Sequence, residues 1–158
     1  MDGPVILRTA TDADADAVRA LTRAAYAKWV AVIGREPLPM RADYVHAVRE
    51  HRIDLLHVGG ALAALVEMIL RPDHLLIENL AVAPEHQGLG LGSRLLTHAE
   101  TVAAGLGHRM VRLYTNKAFA TNVRFYLRAG YVVDREEAFM GGTTVHMRKV
   151  LDGGETAR

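Results

Sequence analysis

The sequence predicts an α/β protein of one domain, with a mixed central sheet of about seven strands and helices flanking it. Three observations carry this. The 158 residues are one domain's worth of chain at roughly 100–200 residues per domain. Half of them are hydrophobic and 23% are charged, the balance of a packed globular chain and not of a disordered one. Strand-like and helical apolar periodicities alternate along the chain, and a strand, helix, strand succession across residues 75–115 requires a parallel strand pair. Residues 1–151 form the domain in this reading, and 152–158 form a polar tail.

Residues 5–8 open the chain as a short strand. Thr11 then caps a helix with Asp14 three residues on, and Val18, Leu21, Ala25, Trp29 and Val32 recur at helical spacing, predicting one amphipathic helix. The run from Gly34 to Pro39 breaks it. Tyr44, Val45 and Val48 predict a shorter helix reaching about His51. Residues 53–58 and 61–70 form a hairpin about Gly59-Gly60. A turn at Arg71-Pro72-Asp73-His74 leads into a third antiparallel strand at residues 75–82. Leu95, Ala99, Val102 and Leu106 mark a helix that begins near Ser93 and stops at Gly105 and Gly107. The strand at 110–115 follows, then a helix at 121–129 ending at Gly130. Strands at 131–134 and 144–151 close the chain around a Gly141-Gly142 turn.

Composition removes several function classes. Lys and Arg number 19 against 18 Asp and Glu, a formal charge of +1. That leaves no electrostatic source for non-specific nucleic-acid binding and no basic face for a membrane-surface helix. Without cysteine there is no disulfide, thiolate metal site or thiol nucleophile. The eight histidines show no ligand spacing, and His46 and His51 do not share a helical face, so no metal is expected. The start, Met-Asp-Gly-Pro-Val-Ile-Leu-Arg, has no charged segment leading into a long apolar one, and no apolar run approaches the ~18 residues of a membrane span. The expected compartment is the cytoplasm.

The informative stretch runs from Asn79 to Leu96. An apolar strand ends at Ala83-Pro84, a loop with glycines at 88, 90 and 92 follows, and an amphipathic helix begins. Free amide N–H groups and the positive end of a helix converge there, which makes an anion site. A side chain at any of the three glycines would hold the backbone away from a diphosphate and would strain left-handed backbone angles. A plain strand-to-helix connection often carries one glycine, so it accounts less well for three. A Rossmann loop needs G-x-G-x-x-G and an acid about 20 residues on, but residues 108–114 read His-Arg-Met-Val-Arg-Leu-Tyr. A Walker A loop needs a lysine before its Ser or Thr, and Gly92-Ser93 lacks one.

The stretch resembles the acetyl-coenzyme A loop of the GNAT superfamily of N-acetyltransferases. Its pattern, Gln/Arg-x-x-Gly-x-Gly/Ala, is met by Gln87, Gly90 and Gly92. Residues Asn122 to Tyr131, with Asn122, Tyr126 and Gly130-Tyr131, look like the family's second cofactor segment. The resemblance covers residues 5–151 and is weakest in the two N-terminal helices, which shape the acceptor site in the family. It implies a GNAT-like fold, acetyl-CoA as co-substrate and no metal. It also implies that the main-chain amides of Gln87, Gly88, Leu89, Gly90, Leu91 and Gly92, with Ser93 at the helix start, hold the pyrophosphate. The pantetheine arm would run beside Leu80, Ala81 and Val82, with the amide of Val82 or Leu80 polarising the thioester carbonyl. Asn122 would contact the arm, although it reads equally well as a helix cap.

Tyr126 lies four residues after Asn122, on the same helical face, where the family's general acid protonates the departing thiolate. The alternative is a core aromatic. Glu78 is the only acid in its strand and the candidate base for an amine, the alternative being a solvent-facing glutamate. Glu67 is the reserve. Tyr26, Trp29, Arg35, Met40 and Tyr44 could line an acceptor pocket or simply pack, and Tyr114 and Asn116 lie where the central strands would part. The resulting reading is direct acetyl transfer to a primary amine, with no covalent enzyme intermediate. Small-molecule or peptide amines are the acceptors expected, protein lysine stays open, and so does a homodimer. No nucleic-acid or membrane partner is expected. The rival is a non-catalytic acyl-CoA sensor that keeps the loop.

Overall fold

The computed structural model describes residues 3–152. Apart from Asp152, the polar tail lies outside them. The strands are β1 (Val5–Thr9), β2 (Arg52–Val58), β3 (Ala61–Leu70), β4 (Leu75–Val82), β5 (Met110–Asn116), β6 (Val132–Phe139) and β7 (Gly142–Val150). They form one seven-stranded sheet in the order β1-β2-β3-β4-β5-β7-β6. Every neighbouring pair is antiparallel except β4 and β5, whose crossover carries a helix. The predicted α/β class, with its mixed sheet of seven strands and flanking helices, is the observed one.

The helices are α1 (Ala15–Tyr26), α2 (Val30–Ile33), α3 (Tyr44–Glu50), α4 (Leu91–Gly105) and α5 (Ala120–Arg128). They bury apolar surface on both faces of the sheet. Val18, Leu21 and Ala25 of α1 and Tyr44 and Ala47 of α3 pack on Ile53, Leu55, Leu65 and Ala81. Leu95, Leu96 and Ala99 of α4 and Tyr126 of α5 pack on Leu56, Val66, Met68, Leu75, Ile77, Val111 and Leu113.

Several boundaries differ from the sequence expectation. The single helix expected across residues 11–32 is divided by a 3₁₀ turn at Ala27–Trp29. At three residues per turn this rotates the following positions off the buried face of α1. Trp29 instead stacks on Phe119, with ring centroids 4.6 Å apart, and Val32 is exposed. Helix α4 begins two residues before Ser93, directly after Gly90, and Leu106 lies beyond its end and exposed. Strand β6 extends well past Asp134 because β7 pairs with it as far as Phe139↔Gly142. As an edge strand exposed throughout, it carries a polar run that shows no alternation. The closing turn is Met140-Gly141, both at positive φ, and Gly142 already belongs to β7.

Candidate active site

The site begins where β4 and β5 part. They pair only over Leu75–Ile77 with Val111–Leu113. The β3–β4 register steps from Glu67↔Asn79 to Met68↔Ile77, so Glu78 is the extra residue of a β-bulge. A bulge exchanges the faces of a strand. Leu75 and Ile77 pack toward α4 before it, and Leu80 and Val82 do so after it, while Ala81 packs toward α1. The bond from Ala83 N–H to the Ala63 carbonyl (2.8 Å) sets the ladder's alternation. The peptide groups of Leu80 and Val82 therefore point away from β3 into the gap, and that of Ala81 points toward β3. From the gap side, Gln87 Nε2 donates to the Val82 carbonyl at 3.0 Å and Lys28 Nζ donates to Gln87 Oε1 at 3.3 Å.

A cavity of about 590 Å³ opens beside this edge. Every cofactor-contact residue expected from the sequence lines it except Leu89, whose side chain is exposed. Gly88 and Gly90 both sit at φ +81°, the left-handed region that glycine tolerates. Gly92 differs: it lies in the first turn of α4 without a positive φ, and a Cβ there would make only ordinary contact with Phe125 Cζ at 3.4 Å. Among the described residues, the amides from Gly88 to Ser93 find no acceptor, and the first closed bond runs from Arg94 N–H to the Gly90 carbonyl at 3.1 Å. The expectation that Gln87 adds its own amide is corrected, because that N–H closes a turn on the Pro84 carbonyl at 3.3 Å. Gln87 braces the strand edge with its side chain instead.

Sequence reasoning missed the cations on this wall, Lys28 and Arg128, and His86, whose buried Nδ1 has no partner among the described residues. They come from three separate elements, so no local pattern announces them. A row of unpaired amides at a fifteen-residue helix, with cations beside it, fits the diphosphate of a coenzyme A. The open strand edge fits an amide-bearing arm.

Asn122 and Tyr126 both project from α5 into this cavity. The helix begins after Phe119, so Asn122 is its third residue and does not cap it. The Tyr126 ring packs among Phe125 and Tyr131, and its hydroxyl has no hydrogen-bond partner among the described residues. Burial pushes its phenol up, so the hydroxyl stays protonated across any working pH. The two alternatives, core aromatic and cavity-facing hydroxyl, thus both describe this one side chain.

Glu78 does not line that cavity. Its Oε1 accepts from the Tyr114 hydroxyl at 2.7 Å at the mouth of the splay, and burial together with that carboxylate pushes the Tyr114 phenol up. Tyr114 belongs to a second cavity of about 300 Å³, where Arg35 and Asn116 also stand and to which Phe119, Glu137 and His146 contribute unforeseen. Tyr26 lies on the walls of both cavities. Its hydroxyl donates to Asn79 Oδ1 at 3.0 Å, and Asn79 Nδ2 donates to Thr22 Oγ1 at 3.1 Å, a buried chain that fixes α1 to β4. Trp29 lines the first cavity, whereas Met40 and Tyr44 are core residues at neither wall. Glu67 is buried with Oε2 2.6 Å from His51 Nδ1. Burial raises its pKa, and the histidine offsets part of that rise. Among the described residues no group of acids and histidines gathers as a metal requires, and no helix is long and apolar enough to cross a membrane.

A sheet splayed at a bulge, with an anion-binding helix start at the opening, is the architecture of an α/β acyltransferase. The family model described as the Acetyltransferase (GNAT) family matches residues 17–131, and the chain belongs to that family. A search of curated proteins finds no match. Among solved structures, the PaiA N-acetyltransferase of Thermoplasma acidophilum in complex with coenzyme A superposes with a TM-score of 0.80 at 19% identity, covering 93% of this chain and 99% of that one. The ribosomal-protein-S18-alanine N-acetyltransferase of Escherichia coli gives 0.76 at 18% identity, covering 94% of each chain. An acetyltransferase of Thermus thermophilus gives 0.72 at 21%, covering 93% and 97%. At these identities the likeness is one of fold.

Proposed function

We propose that the protein transfers an acetyl group from acetyl-CoA to a primary amine. The observation that carries this reading is the meeting, at one splayed strand edge, of an anion cradle, an open amide row and a protonated hydroxyl. The amides of Gly88 to Ser93, with Lys28 and Arg128, hold the diphosphate. The peptide edges of Leu80 and Val82 hold the arm, and one of their N–H groups donates to the carbonyl oxygen as charge develops there. The amine nitrogen forms the new C–N bond as the C–S bond breaks. Tyr126 gives its proton to the departing thiolate, and Glu78 or a water takes the proton lost by the amine. Asn122 steadies the arm. The acceptor is a small-molecule or peptide amine met in the cytoplasm.

Coenzyme A release from acetyl-CoA, measured against a panel of amines, amino acids and peptides, tests the reading. Release that depends on one acceptor class is the expected result. Tight acetyl-CoA binding with no release across the panel would replace the enzyme with the sensor. Absence of binding would refute both.

A further inference from the structure

Resting on that transfer reading, we propose that the second cavity seats the acceptor and that Arg35 selects a carboxylate on it. The substrate class is a small primary amine with an apolar body and a carboxylate at the end remote from the amine. At about 300 Å³ the cavity has small-molecule dimensions. Because Tyr26 stands on its wall and on that of the first cavity, a ligand seated here has one end at the strand splay, beside the Glu78–Tyr114 pair. The cavity wall includes Ile33, Leu38, Phe119 and Phe139, which suits a hydrocarbon or aromatic body.

The charged side chains on the wall are unequal. Glu137 is held by His146 at 2.9 Å and by Arg135 at 3.5 Å. Arg35 pairs with no carboxylate among the described residues. Its Nε is buried with no acceptor, and Nη1 makes only a long 3.3 Å bond to the Glu36 carbonyl. The adjacent carboxylate is taken, since Glu36 pairs with Arg23 at 2.8 Å. A guanidinium offers five donors in a plane that matches a carboxylate. Nη2 has no acceptor among the described residues, so the guanidinium keeps donors for a carboxylate that arrives with a ligand. An amine at the splay, an apolar body against the apolar side chains of the wall and an anion at Arg35 together define the ligand.

The test compares acetylation of 4-(aminomethyl)benzoate with that of benzylamine, which keeps the ring and amine and lacks the carboxylate. Both are run on the wild type, Arg35→Met and Arg35→Lys. The wild type is expected to favour the acid in kcat/KM by about ten- to a hundredfold, the range of a charge-assisted bond, mostly through KM. Arg35→Met should bring that ratio to near one, and Arg35→Lys should restore part of it. Acetyl-CoA titration calorimetry and a circular dichroism melt on each variant report the first cavity and the fold separately. A wild-type ratio near one, or an acid preference that survives Arg35→Met, overturns the carboxylate assignment and leaves acetyl transfer standing. Acetyl-CoA binding with neither amine acetylated overturns it too. Failure to bind acetyl-CoA instead overturns the transfer reading.

Discussion

Replacing Gly90 by alanine isolates what the left-handed loop does. At φ +81° an L-residue is strained, by roughly 1–2 kcal/mol, and a Cβ there would meet nothing within 4 Å. The whole effect is therefore in the backbone. If the loop keeps its shape, the folded state loses that amount, which for a chain of this size lowers Tm by about 2–4 °C per kcal/mol. If the loop relaxes, stability is kept, but binding must rebuild the cradle and affinity for coenzyme A falls about 5- to 30-fold. Scanning and titration calorimetry on one sample measure both losses, whose sum should be ~1–2 kcal/mol. Gly92→Ala is the internal control, because its φ is not positive and its Cβ would rest against Phe125. An alanine in the helix is expected to stabilise by up to ~0.5–1 kcal/mol. Gly90→Ala with both quantities unchanged, or Gly92→Ala losing as much as Gly90→Ala, would refute the reasoning.

Tyr126→Phe should lower kcat by ~10²–10⁴ with little change in coenzyme A affinity, and a wild-type kcat would return the side chain to a packing role. Glu78→Gln keeps the contact with Tyr114 but cannot take a proton, so kcat/KM should fall near neutral pH and recover partly at high pH, where free amine is abundant. An unchanged rate and acidic limb would remove Glu78 as base. Asp54 concerns stability: burial alone would raise its pKa, but His98 at 2.7 Å, Arg52 at 3.1 Å and Thr9 at 2.9 Å outweigh it and hold the carboxyl below its usual value. Its folded pKa lies below the unfolded one, so its contribution is present above about pH 4 and lost as pH falls through the folded value. Asp54→Asn should therefore flatten the acid limb of stability below about pH 5, measured by denaturant unfolding, and an unaltered limb would place that acid sensitivity elsewhere.

The sheet is legible in the sequence where pairing is local. The hairpin at Gly59-Gly60 and the β4–α4–β5 crossover announce themselves by turn residues and periodicity, and so does the glycine loop, whose amides lie in one run of sequence. Other parts depend on distant partners. The bulge at Glu78 arises from pairing with Glu67 and Met68, and nothing in the run Ile77-Glu78-Asn79 marks it. Lys28 and Arg128 reach the wall of the first cavity from α1's extension and the end of α5. The Tyr26–Asn79–Thr22 chain joins residues more than fifty positions apart. Strand β6 reads short in sequence because an edge wetted on both faces leaves no hydrophobic period to follow.

The bulge also makes β4 a strand written in two frames. Ahead of Glu78 the odd positions Leu75 and Ile77 meet α4, and behind it the even positions Leu80 and Val82 do. Any side chain at 78 preserves that arrangement, and so would loss of the residue, because Leu75, Ile77, Leu80 and Val82 would then alternate on one face of an unbulged strand in the same register with β3. What would reverse the later faces is drawing Glu78 into the ladder as a paired residue: the buried amide of Asn79 would then be pressed into the apolar layer beneath α4, and Leu80 would turn toward α1. Position 78 is thus spare for both cores and matters for the bend alone, so that a one-residue deletion there would leave the packing in place and act on the opening between β4 and β5.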